Sequence, residues 1–122
     1  MEALAINWKL YLTSTNGTRY FYAPKNIKRV SKDIVRVWTH EVSTEKSTQG
    51  HIKKYGPQYN DVCCFISLWE YNCSENKLRL ISLTDYKKDG GVICIYDVPS
   101  PWILITPGSQ GENLFNIVCN SH

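Results

Sequence analysis

Between Val62 and Asp97 the chain runs through three β-branched and aromatic segments, VCCFISLWEYNC, KLRLISLTDY and VICIYD, parted only by SEN and KKDGG. A parallel return needs a crossover of about a dozen residues or more, so connections this short force the three strands to lie antiparallel. The upstream half follows the same pattern. INWKLYLTS alternates, with Ile6, Trp8, Leu10 and Leu12 on one face, and reads as a half-buried strand. Asn16-Gly17 is a strong hairpin signal, because a type I′ turn needs positive φ at both central residues, and TRYFYA returns as the partner strand. KNIKRVSKD is a short connector, and IVRVWTHEV then sets Val35 and Val37 against Ile34, Arg36 and Trp38.

Two segments break this rhythm. STEKSTQGHIKKYGPQYND, residues 43–61, is rich in Ser, Thr, Lys and Gly without periodicity and reads as an exposed loop, long enough to be mobile or functional. Near the end, PSP interrupts the chain and WILITPGS carries it across the sheet. Ser109 and Glu112 then form an S-x-x-E capping box ahead of Leu114, Phe115, Ile117 and Val118 at helical spacing. The predicted class is α+β: one antiparallel, meander-like sheet of about six strands with a C-terminal helix packed on one face. Residues 1–122 form a single domain.

Five cysteines is an odd number, so at least one is unpaired within a monomer. Cys119 follows Phe115 by one helical turn and shares its face. Cys73 ends a strand at a turn and is the best-placed partner. A bridge would close a loop of about 47 residues and stabilise the fold by roughly 4 kcal/mol in the chain-entropy model. Two free buried thiols are the alternative that spacing leaves open. Cys63 and Cys64, adjacent in a strand, point to opposite faces, so their sulfurs diverge, and Cys94 packs as a small apolar residue. No CxxC occurs and His40, His51 and His122 show no ligand spacing, so neither a metal nor a cofactor is expected.

Several function classes are disfavoured. The net charge of +3 is spread along the chain rather than gathered in a basic stripe, which argues against nucleic acid. No apolar run approaches the roughly 20 residues of a membrane-spanning helix. A nucleophile would have to draw on His40 or His51 with Asp61 or Asp85. There is no G-x-S-x-G elbow, and His51 in a loop and His122 at the terminus are poorly preorganised bases, so neither catalysis nor a small-molecule substrate is expected. Tyr20, Phe21 and Tyr22 suit cross-strand packing. Tyr55 and Tyr59 flank Gly56-Pro57 beside Lys53 and Lys54 and make a candidate amphipathic contact patch.

Taken in order, VRVW, then LWEYNC…KLRLISLTDY, then a glycine turn, then PSPW…PGS…NLFNIVC, the chain resembles the bacterial surface-adhesin protein E family from about Trp8 to Cys119. The resemblance implies an exported protein with one internal disulfide, here Cys73–Cys119, formed in an oxidising compartment. MEALAINWKL has neither a positive n-region nor a long apolar segment, so a removed signal peptide is expected. Also implied are a homodimer and binding to host matrix and serum proteins such as vitronectin and laminin. The stretch corresponding to the family's binding region is Lys53–Arg79, which mixes Lys53, Lys54, Lys77 and Arg79 with Asp61, Glu70 and Glu75.

The expected function is thus an exported, non-enzymatic protein-binding module of the cell surface, outer membrane or periplasm. Tyr55, Tyr59 and Trp69 would serve as apolar anchors, with Lys53, Lys54, Lys77 and Arg79 steering an acidic partner. An accessory domain that binds endogenous envelope proteins is the second reading.

Overall fold

The computed structural model describes residues 7–97 and 99–120. Its strands are β1 (Lys9–Thr13), β2 (Arg19–Tyr22), β3 (Lys28–Arg29), β4 (Ile34–Val42), β5 (Val62–Asn72), β6 (Lys77–Lys87), β7 (Val92–Tyr96) and β8 (Ile103–Leu104). They form one sheet in the order β1-β2-β4-β5-β6-β7, with β3 beside β4 and β8 beside β6. Every pairing is antiparallel, as the short connections require. The expected meander is therefore present, extended by two short strands; WILITPGS contributes β8 to the edge rather than crossing the sheet.

The first hairpin departs from the expected turn. Of its two central residues only Gly17 has positive φ, at 88°, so the connection is a wider loop and not type I′. Ser14 N–H donates to Thr18 O, Gly17 N–H to Ser14 O, and Thr18 N–H to the Asn16 side chain. A register shift between Leu10 and Leu12 also turns the face of β1. Tyr11 packs on the core while Leu10 is 48% exposed, the reverse of the simple alternation, and Ile6 lies outside the described residues.

Two eleven-residue helices cover opposite ends of the same sheet face. At one end lies α2 (Gln110–Asn120), started as expected by Ser109, whose hydroxyl accepts from Glu112 N–H at 3.2 Å. The Glu112 carboxylate accepts from Gly108 N–H at 3.0 Å, one residue earlier than a strict capping box. Leu114 and Val118 are buried against Tyr22, Val35, Val37, Tyr71 and Leu78, with Phe115 and Ile117 at the margin. Tyr71 OH donates to Gly111 O at 3.1 Å. A β-carbon at Gly111 would sit 2.9 Å from Leu78 Cδ2, so a larger residue there would require that methyl to shift. Cys73 and Cys119 are disulfide-bonded across a sequence separation of 46, tying the last turn of α2 to the end of β5.

At the other end the segment read as an exposed loop is α1 (Glu45–Tyr55) followed by a 3-10 turn over Pro57–Asp61. Thr44 and Ser47 form a reciprocal capping box at its start. Gly56 takes φ 114° to close its end, with its N–H bonded to Ile52 O. Ile52, Tyr59, Val62, Phe65, Leu83 and Ile93 make a second, smaller core beneath it.

The uncovered face carries a different device. Arg36, Glu70 and Arg79 lie in register on β4, β5 and β6, and the Glu70 side chain is only 2% exposed. Arg36 Nε reaches Glu70 Oε2 at 3.0 Å and Arg79 Nε reaches Oε1 at 2.9 Å. Desolvation alone would raise the Glu70 pKa, but the bonds and charges of the two guanidiniums outweigh it and lower the pKa. Arg79 also lies 4.6 Å from the Trp102 ring.

Removing the cross-link through Cys73→Ala with Cys119→Ala is expected to lower unfolding free energy by up to about 4 kcal/mol in urea titration. A change below about 1 kcal/mol would mean that packing alone holds α2 in place.

Candidate functional site

Between the two helices the covered face is left open, and the gap is a groove of about 520 Å³. Its floor comes from Glu41 on β4, Phe65, Ser67 and Trp69 on β5, and Leu80, Leu83 and Asp85 on β6. Tyr55, His51 and Tyr59 form one wall, and Cys94 and Tyr96 of β7 form the opposite edge.

Register explains how the acids arrive there. Glu41 pairs with Phe65, which pairs with Asp85, so the two carboxylates flank one aromatic ring on the same face. Leu78 and Leu80 share this face with Leu83 and Asp85 only because the register shifts opposite Leu68 and Trp69, leaving Ile81 as an extra residue. Without that bulge strict alternation would send Asp85 to the other side.

The electrostatics are those of a half-dry site. Burial, and then the nearby Asp85 charge, push Glu41 up to about 7 from its ordinary 4.5. Burial also raises Asp85, opposed by the Tyr59 hydroxyl, which donates to Oδ2 at 2.5 Å, and by His51. Burial lowers the His51 pKa, with Asp85 opposing and Lys54 assisting, so the imidazole is neutral near pH 7. Its ring packs 5.0 Å from Phe65, and Tyr55 and Tyr59 are 5.4 Å apart. Among the described residues no group of three or more His, Cys, Asp or Glu side chains is arranged to hold a metal ion.

The contact residues expected from sequence are divided by this geometry. Lys53 and Lys54 are exposed on α1 beside Tyr55, whose half-exposed ring forms the rim of the groove wall, with Lys54 Nζ 5.1 Å from the Tyr55 ring centre. Tyr59 is not a surface anchor: it is 7% exposed, because its hydroxyl is taken by Asp85 and its ring by the second core. Trp69 is half-buried in the groove, its Nε1–H donating to Thr39 at 3.1 Å. Arg79 is held by Glu70 and Trp102 on the opposite face, and Lys77 sits at the far hairpin beside Glu75 at 3.4 Å.

The cysteines also depart from expectation. A bulge at Cys63 cancels the alternation that would separate adjacent sulfurs, and the Cys64 thiol is hydrogen-bonded to that of Cys63. Burial first, and that bond second, raise the Cys64 pKa to about 12. Cys94 is exposed rather than packed, on the edge strand β7. Sequence reasoning missed Glu41 entirely and weighed Asp85 only as the orienter of a base.

Comparison with known proteins fits this architecture. A family model described as surface-adhesin protein E matches residues 8–120. Among solved structures, crystal form II of Haemophilus influenzae protein E superposes with a TM-score of 0.61 at 13% identity, covering 93% of this chain and 87% of that one. Another H. influenzae protein E structure gives 0.58 at 14%, covering 93% and 84%. No curated protein matches the chain significantly.

Glu41 provides a pH test. Its folded pKa lies above its unfolded value, so folding binds a proton between about pH 4.5 and 7, and stability falls as pH rises through that window. Glu41→Gln is expected to stabilise by about 1–2 kcal/mol at pH 8 and to be nearly neutral at pH 4. Equal thermal shifts at both pH values would refute the burial of this carboxylate.

Proposed function

The chain belongs to the surface-adhesin protein E family, and from that premise we propose that it is an exported, non-enzymatic adhesin that binds an acidic extracellular matrix protein through the outer surface of α1. The observation that carries this reading is the last turn of α1. Tyr55 is 49% exposed there, with Lys54 over its ring and Lys53 beside it. A half-exposed aromatic next to two free-standing cations has the composition of an interface anchor with its steering charges. Both lysines also sit at a helix C-terminus, where positive charge is favoured and the helix pays no penalty for displaying it.

The Cys73–Cys119 bridge supports export, since stable disulfides persist in oxidising compartments. Lys77 is assigned to the rim of the partner surface at most, because it lies at the other end of β6 from α1. Arg79 is left to the sheet: Arg79→Glu would set a second carboxylate against Glu70 and test folding rather than binding. A homodimer is compatible with the exposed apolar edge formed by Ile95, Ile103 and Leu104.

Surface-immobilised vitronectin and laminin are suitable probes. Lys53→Glu with Lys54→Glu is expected to slow association at least tenfold and flatten its salt dependence, while Tyr55→Ala speeds dissociation. Unchanged kinetics in both variants would reject the α1 surface. Capture of bacterial envelope proteins, with no matrix binding by the parent protein, would reject the host partner.

A further inference from the structure

The groove is the opposite of the α1 surface in charge, and it is built. Asp85 is 6% exposed, and its two oxygens are treated differently. Oδ2 accepts the Tyr59 hydroxyl; Oδ1 is buried without a hydrogen-bond partner. A buried carboxylate oxygen can only accept, so what is missing is a donor, and leaving it missing is costly. None of the groove's own groups supplies one to that oxygen. His51, the nearest basic side chain of the wall, is held neutral by burial, and its own Nε2 is also buried and unpartnered.

Glu41 stands on the same face two strands away, so the backbones carrying the two acids are about 10 Å apart with their side chains converging on the space above Phe65. Around that space stand Tyr55, Tyr59, Phe65, Trp69 and Tyr96. Aromatic faces attract cations and tolerate apolar stems, whereas a pair of desolvated carboxylates repels any anion. The raised pKa of Glu41 has the same origin, burial first and the neighbouring Asp85 charge second.

We propose that the groove between α1 and α2 is a binding site for a small organic cation, an ammonium carried on an aryl or alkyl body. The ammonium would donate to Asp85 Oδ1 and Glu41, and its body would lie against Trp69 and Tyr96. Size favours a whole small molecule over one basic side chain of a protein partner. The groove, at about 520 Å³, falls within the range of roughly 300–1,000 Å³ that small-molecule sites occupy, and its aromatic lining offers an apolar body more contact than a single guanidinium would use. This inference stands apart from the α1 reading in its charged groups, which are Asp85 and Glu41 instead of Lys53 and Lys54; the two surfaces share only Tyr55.

The test is calorimetry and amide-resonance titration of the intact, disulfide-bonded protein at pH 7.5 with 2-phenylethylamine and spermidine. The neutral and anionic controls are 2-phenylethanol and phenylacetate. At least one amine is expected to bind with Kd below about 1 mM, shifting resonances of Glu41, Asp85 and the Trp69 indole, at least tenfold more tightly than either control. Asp85→Asn, which keeps an acceptor for Tyr59, and Glu41→Gln are each expected to weaken amine binding about tenfold. Lys53→Glu, at a residue that does not line the groove, should leave it unchanged, so failure here and failure of the α1 surface are separable. No amine binding below about 20 mM, equal binding of the controls, or insensitivity to both carboxamide variants would overturn the proposal. So would tenfold tighter binding of an arginine tripeptide, which would assign the groove to a protein side chain. The ligand comparison on the parent protein decides the matter even if a variant fails to fold.

Discussion

A single β-layer has two faces, and among the described residues there are only two α-helices, of eleven residues each, with which to cover one of them. Each helix is about 16 Å long, while the central strands β5 and β6, also of eleven residues, run for about 36 Å. Coverage is therefore partial, and where the helices settle decides what remains exposed. One sits at each end of the strands. The groove is the uncovered middle, and its acids and aromatics are those that strand register brings to that stretch of the face.

The two ends are held by unlike means. At the α2 end, a well-formed apolar core is reinforced by the only cross-link among the described residues. At the α1 end, the helix contributes little apolar surface, and Thr44 anchors its start to the first hairpin by donating to Asn16 O at 2.8 Å. The tilted packing of His51 on Phe65 and the Tyr59–Asp85 bond then fix the groove wall. The open face depends on neither helix. There Glu70 joins three strands through two guanidiniums, an arrangement that tolerates water because both arginines remain about one-third exposed.

Most of the sheet was legible because its signals are local. Turn lengths fixed antiparallel pairing, and Val35 and Val37 emerged fully buried, as alternation implied. The stripe of Leu114 and Val118, with Ser109 ahead of it, marked α2 correctly. The Cys73–Cys119 pairing was left open by spacing and followed from family resemblance. By contrast α1 was invisible to periodicity, since Ile52 is its only aliphatic side chain and the residues it buries most deeply are Ser47 and Thr48. Its signals were at its ends: Thr44 with Ser47, acidic Glu45 first, Lys53 and Lys54 last, and Gly56 to stop it. The groove was harder still. Asp85 reaches it through a bulge that no composition rule locates, and Glu41 acquires its character from burial between strands distant in sequence.

If the covering of this face is two independent caps rather than one continuous layer, each cap must open on its own. Native-state amide hydrogen exchange on the oxidised protein reads this directly. Residues of α2 are expected to exchange with an opening free energy close to that of β5 and β6, and α1 to open separately, at lower free energy and without exposing α2. A single common opening energy for both helices and the central strands would contradict it.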